Sequence, residues 1–308
     1  MSLLWTKAAD FEPRGSTLTA ARALLALAQL TSIVFSSDRL LFAGTPEAPR
    51  TPCAGLNAAT LWCLSGGNFH DNLLARAVAI GALLVVAMGY RPRWTCIGHF
   101  YIAFSINAEA TAANGGDGVA QIATMLFIPL CLADQRQWAW LKPSIAPQPA
   151  WRGSAFAAHI VIRIQIAIIY ADAAISKLAY PAWRHGTALA VLAHDPEFGF
   201  PTAVNPLTQD VLAHAWTTDL LTWSVPAVEL LIAMSMASPG RIRRYALVPV
   251  VILHGAIILL LGLFSFGLIM IALVLASHVG ASSPAPRTTT DSSQPKPLPS
   301  TPMTGAAP

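Results

Sequence analysis

The chain of 308 residues is 55% hydrophobic and only 11% charged, with a mean hydropathy of +0.55. Soluble domains are about a quarter charged, so this composition excludes an ordinary soluble fold and indicates an all-α, polytopic transmembrane helix bundle. The net charge of +4 is spread over the loops, without a basic block or interleaved aromatics; this excludes a nucleic-acid partner and leaves the lipid bilayer as the partner that fits.

A spanning helix needs roughly 20 mostly apolar residues. In chain order, the qualifying runs are 18–36, 73–90, 94–111, 118–134, 155–177 and 217–237. The last run, 245–277, would be about 50 Å long as one helix, well beyond a hydrocarbon core of about 30 Å. Its division near Gly262-Leu263-Phe264-Ser265-Phe266-Gly267 into two short helices predicts eight spans, or seven if the run stays whole.

Charge placement orients the bundle. With the N-terminus inside, the inner segments hold Lys7, Arg14, Arg22, Arg91, Arg93, Arg136, Lys142, Arg152, Arg241, Arg243, Arg244, Arg287 and Lys296. The outer segments hold only Arg39, Arg50, Arg76 and Arg184. Lys and Arg in short loops mark the cytoplasmic side. The expected organisation is a cytoplasmic segment 1–17, a membrane domain 18–278 with outer loops 38–72 and 178–216, and a tail 279–308. The tail is rich in Pro, Ser and Thr and too polar to bury a core, so it is expected to be disordered. The first span has an apolar part longer than a usual signal-peptide core and no clean A-x-A-like site, which predicts a retained helix.

Four cysteines are present. Cys96 and Cys131 lie within spans, as small core residues do. Cys53 and Cys63 share the first outer loop, where disulfides persist, and are expected to pair. Two cysteines with His70 as the sole other soft donor nearby do not make a metal site.

The stretch 155–177 is apolar yet includes Arg163, Gln165, Tyr170, Asp172 and Lys177. On a helix, His159, Arg163, Tyr170 and Lys177 share one stripe, while Gln165, Asp172 and Ser176 lie roughly opposite. Ionisable groups in a span cost about 2.5–3.5 kcal/mol each at the centre, so this helix is expected to be central, with neighbours on both faces. Two readings stay open. In one, Arg163 or Lys177 pairs with Asp172 or with Glu229 in a structural network. In the other, burial favours the neutral amine and Lys177 acts as a base or substrate-binding cation. Other polar residues gather toward the outer side: His99, Glu109, Asp117 (expected as a helix N-cap) and His185. His254 lies mid-membrane, near no obvious charge.

The run QIAIIYADAAISKLAYPAWRHGTAL, with Tyr170, Lys177-Leu178, Trp183 and Gly186 in order, resembles the HTTM domain, the membrane core shared with vitamin K-dependent γ-carboxylase. Other features resemble the SdpB branch more closely. They are the GGD turn at Asp117, the Asp134-x-Arg136-x-Trp138 motif, GTALAVLAHDPEFG, VELLIA at 228–233 and HGAIILLLGLFSFGLIMIALVL at 254–275. The resemblance covers roughly residues 15–278. It implies a bacterial cytoplasmic-membrane protein that matures a secreted antimicrobial peptide from its precursor, together with a soluble SdpA-like partner. Through the carboxylase it also implies Lys177 as a catalytic base, with a reduced quinone as possible cofactor. On this reading Lys177, Tyr170, Asp172 and Arg163 are the catalytic candidates, and Trp183, His185, Asp117, Glu109 and His99 the substrate-binding ones. No GxSxG, HExxH or paired-carboxylate motif supports a familiar protease. A transporter or immunity protein is the further alternative, although no internal repeat of the kind many transporters show is detectable.

Overall fold

A computed structural model describes residues 2–42, 53–111, 115–144, 149–195, 199–202 and 204–280. Among these the chain is all-helical, with no strand and one isolated bridge, Tyr90–Trp138. Eight helices make up the bundle: α1 (Ser16–Phe35), α2 (Leu73–Ala87), α3 (Pro92–Glu109), α4 (Gly115–Cys131), α5 (Pro149–Ala179), α6 (Ala215–Ser235), α7 (Leu247–Leu261) and α8 (Phe264–Ala276).

Local chemistry fixes several boundaries. Asn72 caps α2, its side-chain oxygen accepting from Ala75 N at 3.1 Å. Pro92 opens α3 at the position where a missing N–H costs nothing. The apolar run 245–277 breaks where expected, because Gly262 takes φ +69° and ends α7. The chain then doubles back into α8. A Cβ on Gly267 would lie 2.6 Å from Ile258 Cγ1, so the absence of a side chain there lets α7 and α8 approach.

The principal packing pairs are α1 with α8 and α2, α3 with α4, and α5 with α6 and α4. One large apolar cluster joins α1, α4, α5, α7 and α8 through Leu25, Phe127, Ile166, Val250 and Leu273. A second, around Phe42, Trp62 and Leu83, sits under the first loop.

Consecutive helices run antiparallel, so their connections alternate between two ends. At one end Arg91 N donates to Gln137 O (2.8 Å), Trp140 Nε1 to Met88 O (3.0 Å) and Arg243 Nε to Ser277 O (3.1 Å). At the other, Thr111 N donates to Leu41 O (2.9 Å) and Asn72 N to Asp38 Oδ2 (2.8 Å). Arg76 anchors that second end by an ion pair with Asp38 at 2.8 Å. Cys53 and Cys63 are joined as a disulfide beside it.

Three helical stretches are long and apolar enough to cross a membrane: Ser16–Phe35, Ala150–Ala179 and Arg244–Leu261. Their outward faces expose Leu27, Val34, Ile164, Ile168, Val248 and Ile252, a surface that water does not tolerate and lipid does. The chain is therefore a helical membrane protein.

The enclosure expected for α5 is not met. Val161, Ile164, Ile168, Asp172 and Ile175 all lie exposed along one outer face. Neighbouring helices cover only the Tyr170 side, so the Asp172 stripe does not turn inward. Asp117 also differs from expectation. It is the third residue of α4, inside the first turn rather than before it, and is buried with Oδ1 unpartnered. Its charge there faces the positive end of the helix dipole. The tail from residue 281, and parts of the two outer loops (43–52, 196–198 and 203), lie outside the described residues.

Candidate functional site

The site is built on the contact between α5 and α6. Tyr170 and Lys177 are seven residues apart on α5 and so present to one face. α6 brings Glu229, and α7 brings His254. Lys177 Nζ donates to Glu229 Oε1 at 2.7 Å and to Ala173 O at 3.3 Å. The lysine side chain is 24% exposed and the glutamate 8%. This choice closes one alternative left open by the sequence: Lys177 pairs with Glu229, not with Asp172. The ammonium also lies 5.5 Å from the Trp183 ring centroid, within cation–π range.

About two turns earlier on α5, the Tyr170 hydroxyl and His254 Nε2 share a hydrogen bond of 2.8 Å. The rings of Tyr170 and Phe266 both meet the His254 ring edge-on. The two pairs lie within electrostatic reach, Glu229 acting on Tyr170 and Lys177 on His254. Two buried polar atoms of this centre have no partner among the described residues, Glu229 Oε2 and His254 Nδ1. Such orphans are costly and uncommon; Glu229 Oε2 can accept a hydrogen bond from a small guest, and His254 Nδ1 can donate or accept one according to the ring's tautomer.

The turn after α5 explains two motif residues. Trp183 belongs to the short helix Pro181–Arg184, which folds back over Lys177. Gly186 follows with φ +73°, and a Cβ there would lie 2.9 Å from Asp219 Cγ on α6. Only glycine allows that turn to seat against α6.

The remaining candidates divide. Arg163 is not beside Lys177; its guanidinium donates to Met236 O, with Nε at 2.9 Å, and so satisfies a carbonyl at the C-terminal end of α6. Asp172 faces outward and His185 is exposed. His99 is buried on α3 against Gln29 of α1, with Nε2 2.9 Å from Gln29 Oε1. Glu109 accepts from Thr60 Oγ1 and touches Cys63 Sγ at 3.2 Å, tying α3 to the disulfide loop. The sequence named Glu229 as a pairing partner for Arg163 or Lys177 and His254 as a lone mid-membrane histidine, but neither as a catalytic or substrate-binding candidate. Their signal in sequence is only that each is a lone ionisable residue in an apolar span. No cluster among the described residues could hold a metal ion.

These features define a class: helical membrane proteins with a lysine–glutamate pair and a tyrosine–histidine pair at a three-helix contact. No family model matches the chain, and no solved structure matches it. It is 33% identical over 270 residues to the sporulation-delaying protein SdpB of Bacillus subtilis (strain 168), covering 87% of this chain and 83% of that protein. It is also 29% identical over 256 residues to the uncharacterized protein YitO of the same organism, covering 83% and 82%. The chain belongs to the SdpB family.

Proposed function

We propose that this protein is a multi-pass protein of the bacterial plasma membrane with a role in the sporulation-delaying pathway. Its role there is to mature a secreted antimicrobial peptide from its precursor, acting with a soluble SdpA-like protein. The observation that supports this is the kinship with SdpB over nearly the whole length. In a strain that encodes the precursor, deleting the gene should abolish active peptide in the medium. Undiminished peptide activity in the deletion strain would overturn the proposal.

The topology proposed with it has about eight spans and the N-terminus inside. It is supported by the gathering of Arg14, Arg91, Arg93, Arg136, Arg152, Arg243 and Arg244 at one end of the bundle. The disulfide then lies on the outer side, where oxidation is allowed.

A second reading concerns chemistry. In it, the chain retains an HTTM-type membrane core in which Lys177 is a base, with a reduced quinone as possible cofactor. It is supported by Lys177 being held by a buried carboxylate. In this reading Glu229, which accepts from Lys177 Nζ at 2.7 Å, orients the lysine, and the ammonium has to give up its proton before it can act as a base. Lys177→Ala and Lys177→Arg separate the roles. A base is lost in both variants, because arginine does not deprotonate. A lysine needed only as a cation is rescued by arginine. Peptide activity, normalised to membrane abundance, reads the difference.

A further inference from the structure

Where the turn between α2 and α3 meets the segment after α4, the surface sinks into a cavity of about 250 Å³. Arg91, Arg93, Trp94, Asp134 and Arg136 line it, with two glutamines. Three guanidiniums against one carboxylate leave an excess of positive charge. That carboxylate is already committed. Asp134 grips Arg136 as a fork, with Nη2–Oδ2 at 2.6 Å and Nε–Oδ1 at 2.8 Å. Arg136 Nη1 continues to Ala139 O at 2.7 Å. Arg136 is thus part of the wall.

Arg91 and Arg93 are placed differently. Both are exposed, and neither forms an ion pair among the described residues. Each guanidinium rests on a ring: Arg91 5.7 Å from Tyr90 and Arg93 5.3 Å from Trp94. Stacking on a ring leaves the N–H edge open for an anion. Arg91 takes φ +38° directly before Pro92, a position where extended backbone is favoured. Its amide is pinned to Gln137 O at 2.8 Å, and Ala139 N to Gly89 O at 2.8 Å, so the cavity rim is rigid. α3 begins at Pro92, which brings the positive end of its dipole to the same place. Trp94, Trp138 and Trp140 are exposed around the rim, as aromatic residues are at the level of lipid headgroups.

We propose that this cavity is a phosphate-binding site in which Arg91 and Arg93 hold the anion. Two sources present that chemistry, an anionic phospholipid headgroup and free phosphate. Basic pockets on the cytoplasmic side of membrane bundles recognise headgroups in this way.

The test uses the full chain in neutral detergent, with Trp emission and native mass spectrometry as readouts. The probes are phosphatidylglycerol, phosphatidylcholine and inorganic phosphate. Arg93→Gln should weaken phosphatidylglycerol binding about fivefold, and Arg91→Gln with Arg93→Gln about 25-fold. Arg244→Gln, at the same end but away from the cavity, should leave it unchanged. Phosphatidylglycerol binding that depends on the two arginines, with phosphatidylcholine excluded, assigns the site to a lipid. Inorganic phosphate binding with the same dependence, and no preference between the lipids, assigns it to a soluble source. If no phosphate-bearing probe binds, or binding is unchanged in the double variant, the proposal is overturned. Arg93→Gln removes an exposed side chain without a hydrogen-bond partner among the described residues, so equal melting temperature to the parent confirms that it folds.

Discussion

Lys177 and Glu229 are each the other's remedy for being charged in an apolar bundle. Removing one partner strands the other, which costs far more than replacing both by apolar groups. Lys177→Met should therefore lower thermal stability in detergent more than Lys177→Met combined with Glu229→Leu. The coupling in that double-mutant cycle should be about 2 kcal/mol, and additive effects would show that the pair is not coupled. Tyr170→Phe removes the hydroxyl that meets His254 Nε2 and adds a second orphan nitrogen to the unpartnered Nδ1. It should cost about 1–3 kcal/mol of stability, read as a lowered melting temperature at unchanged expression. Asp172 makes the opposite case. It is exposed between Ile168 and Ile175, so Asp172→Leu should leave membrane abundance equal or higher. The helical period of seven made the Tyr170 and Lys177 face legible beforehand. The choice of Glu229 over Asp172 as the lysine's partner, and the meeting of Tyr170 with His254, were not, because Glu229 and His254 lie 52 and 84 residues away, and no local rule says which helix will lie alongside α5.

At the scale of elements, glycines set where helices stop and how closely they pack. Gly262 sits at φ +69° with open space around the missing Cβ. Gly262→Ala should therefore cost only the backbone strain of a left-handed alanine, about 1 kcal/mol. Gly186→Ala adds a steric conflict with Asp219 to a similar strain. It should unseat the turn that sets Trp183 over Lys177, giving a larger loss of stability and of peptide activity than Gly262→Ala. Equal effects of the two would show that the Asp219 contact does not matter. The break at Gly262 was readable because length alone forbids one helix of 33 residues in a bilayer. The orientation of α5 was not. Two polar stripes suggested enclosure on both sides, whereas packing covers one. Arg163 was likewise read as a catalytic candidate on the Lys177 stripe, yet it serves the carbonyl end of α6, a role that exists only once α6 is laid against α5.

For the whole molecule, the two ends differ in charge and in redox chemistry. The arginine-rich end holds Arg91, Arg93 and Arg136, and the opposite end holds the Cys53–Cys63 disulfide. Single cysteines at Lys142 and at Ser37 should report this in intact cells. An impermeant thiol reagent should label Ser37→Cys without lysis and Lys142→Cys only after it. The reverse pattern would invert the proposed topology.

The sequence by itself determined the class of molecule, the positions of the long helices and the polar character of α5, because these follow from composition, period and length. It also held the Tyr170, Lys177, Trp183 and Gly186 order within one local stretch. Only the tertiary structure decided that Lys177 meets Glu229, that Tyr170 meets His254 and that Asp172 faces outward. These are contacts between distant segments. They depend on which helix faces nestle together, and the energies that select them are spread over many small packing terms that no single motif records.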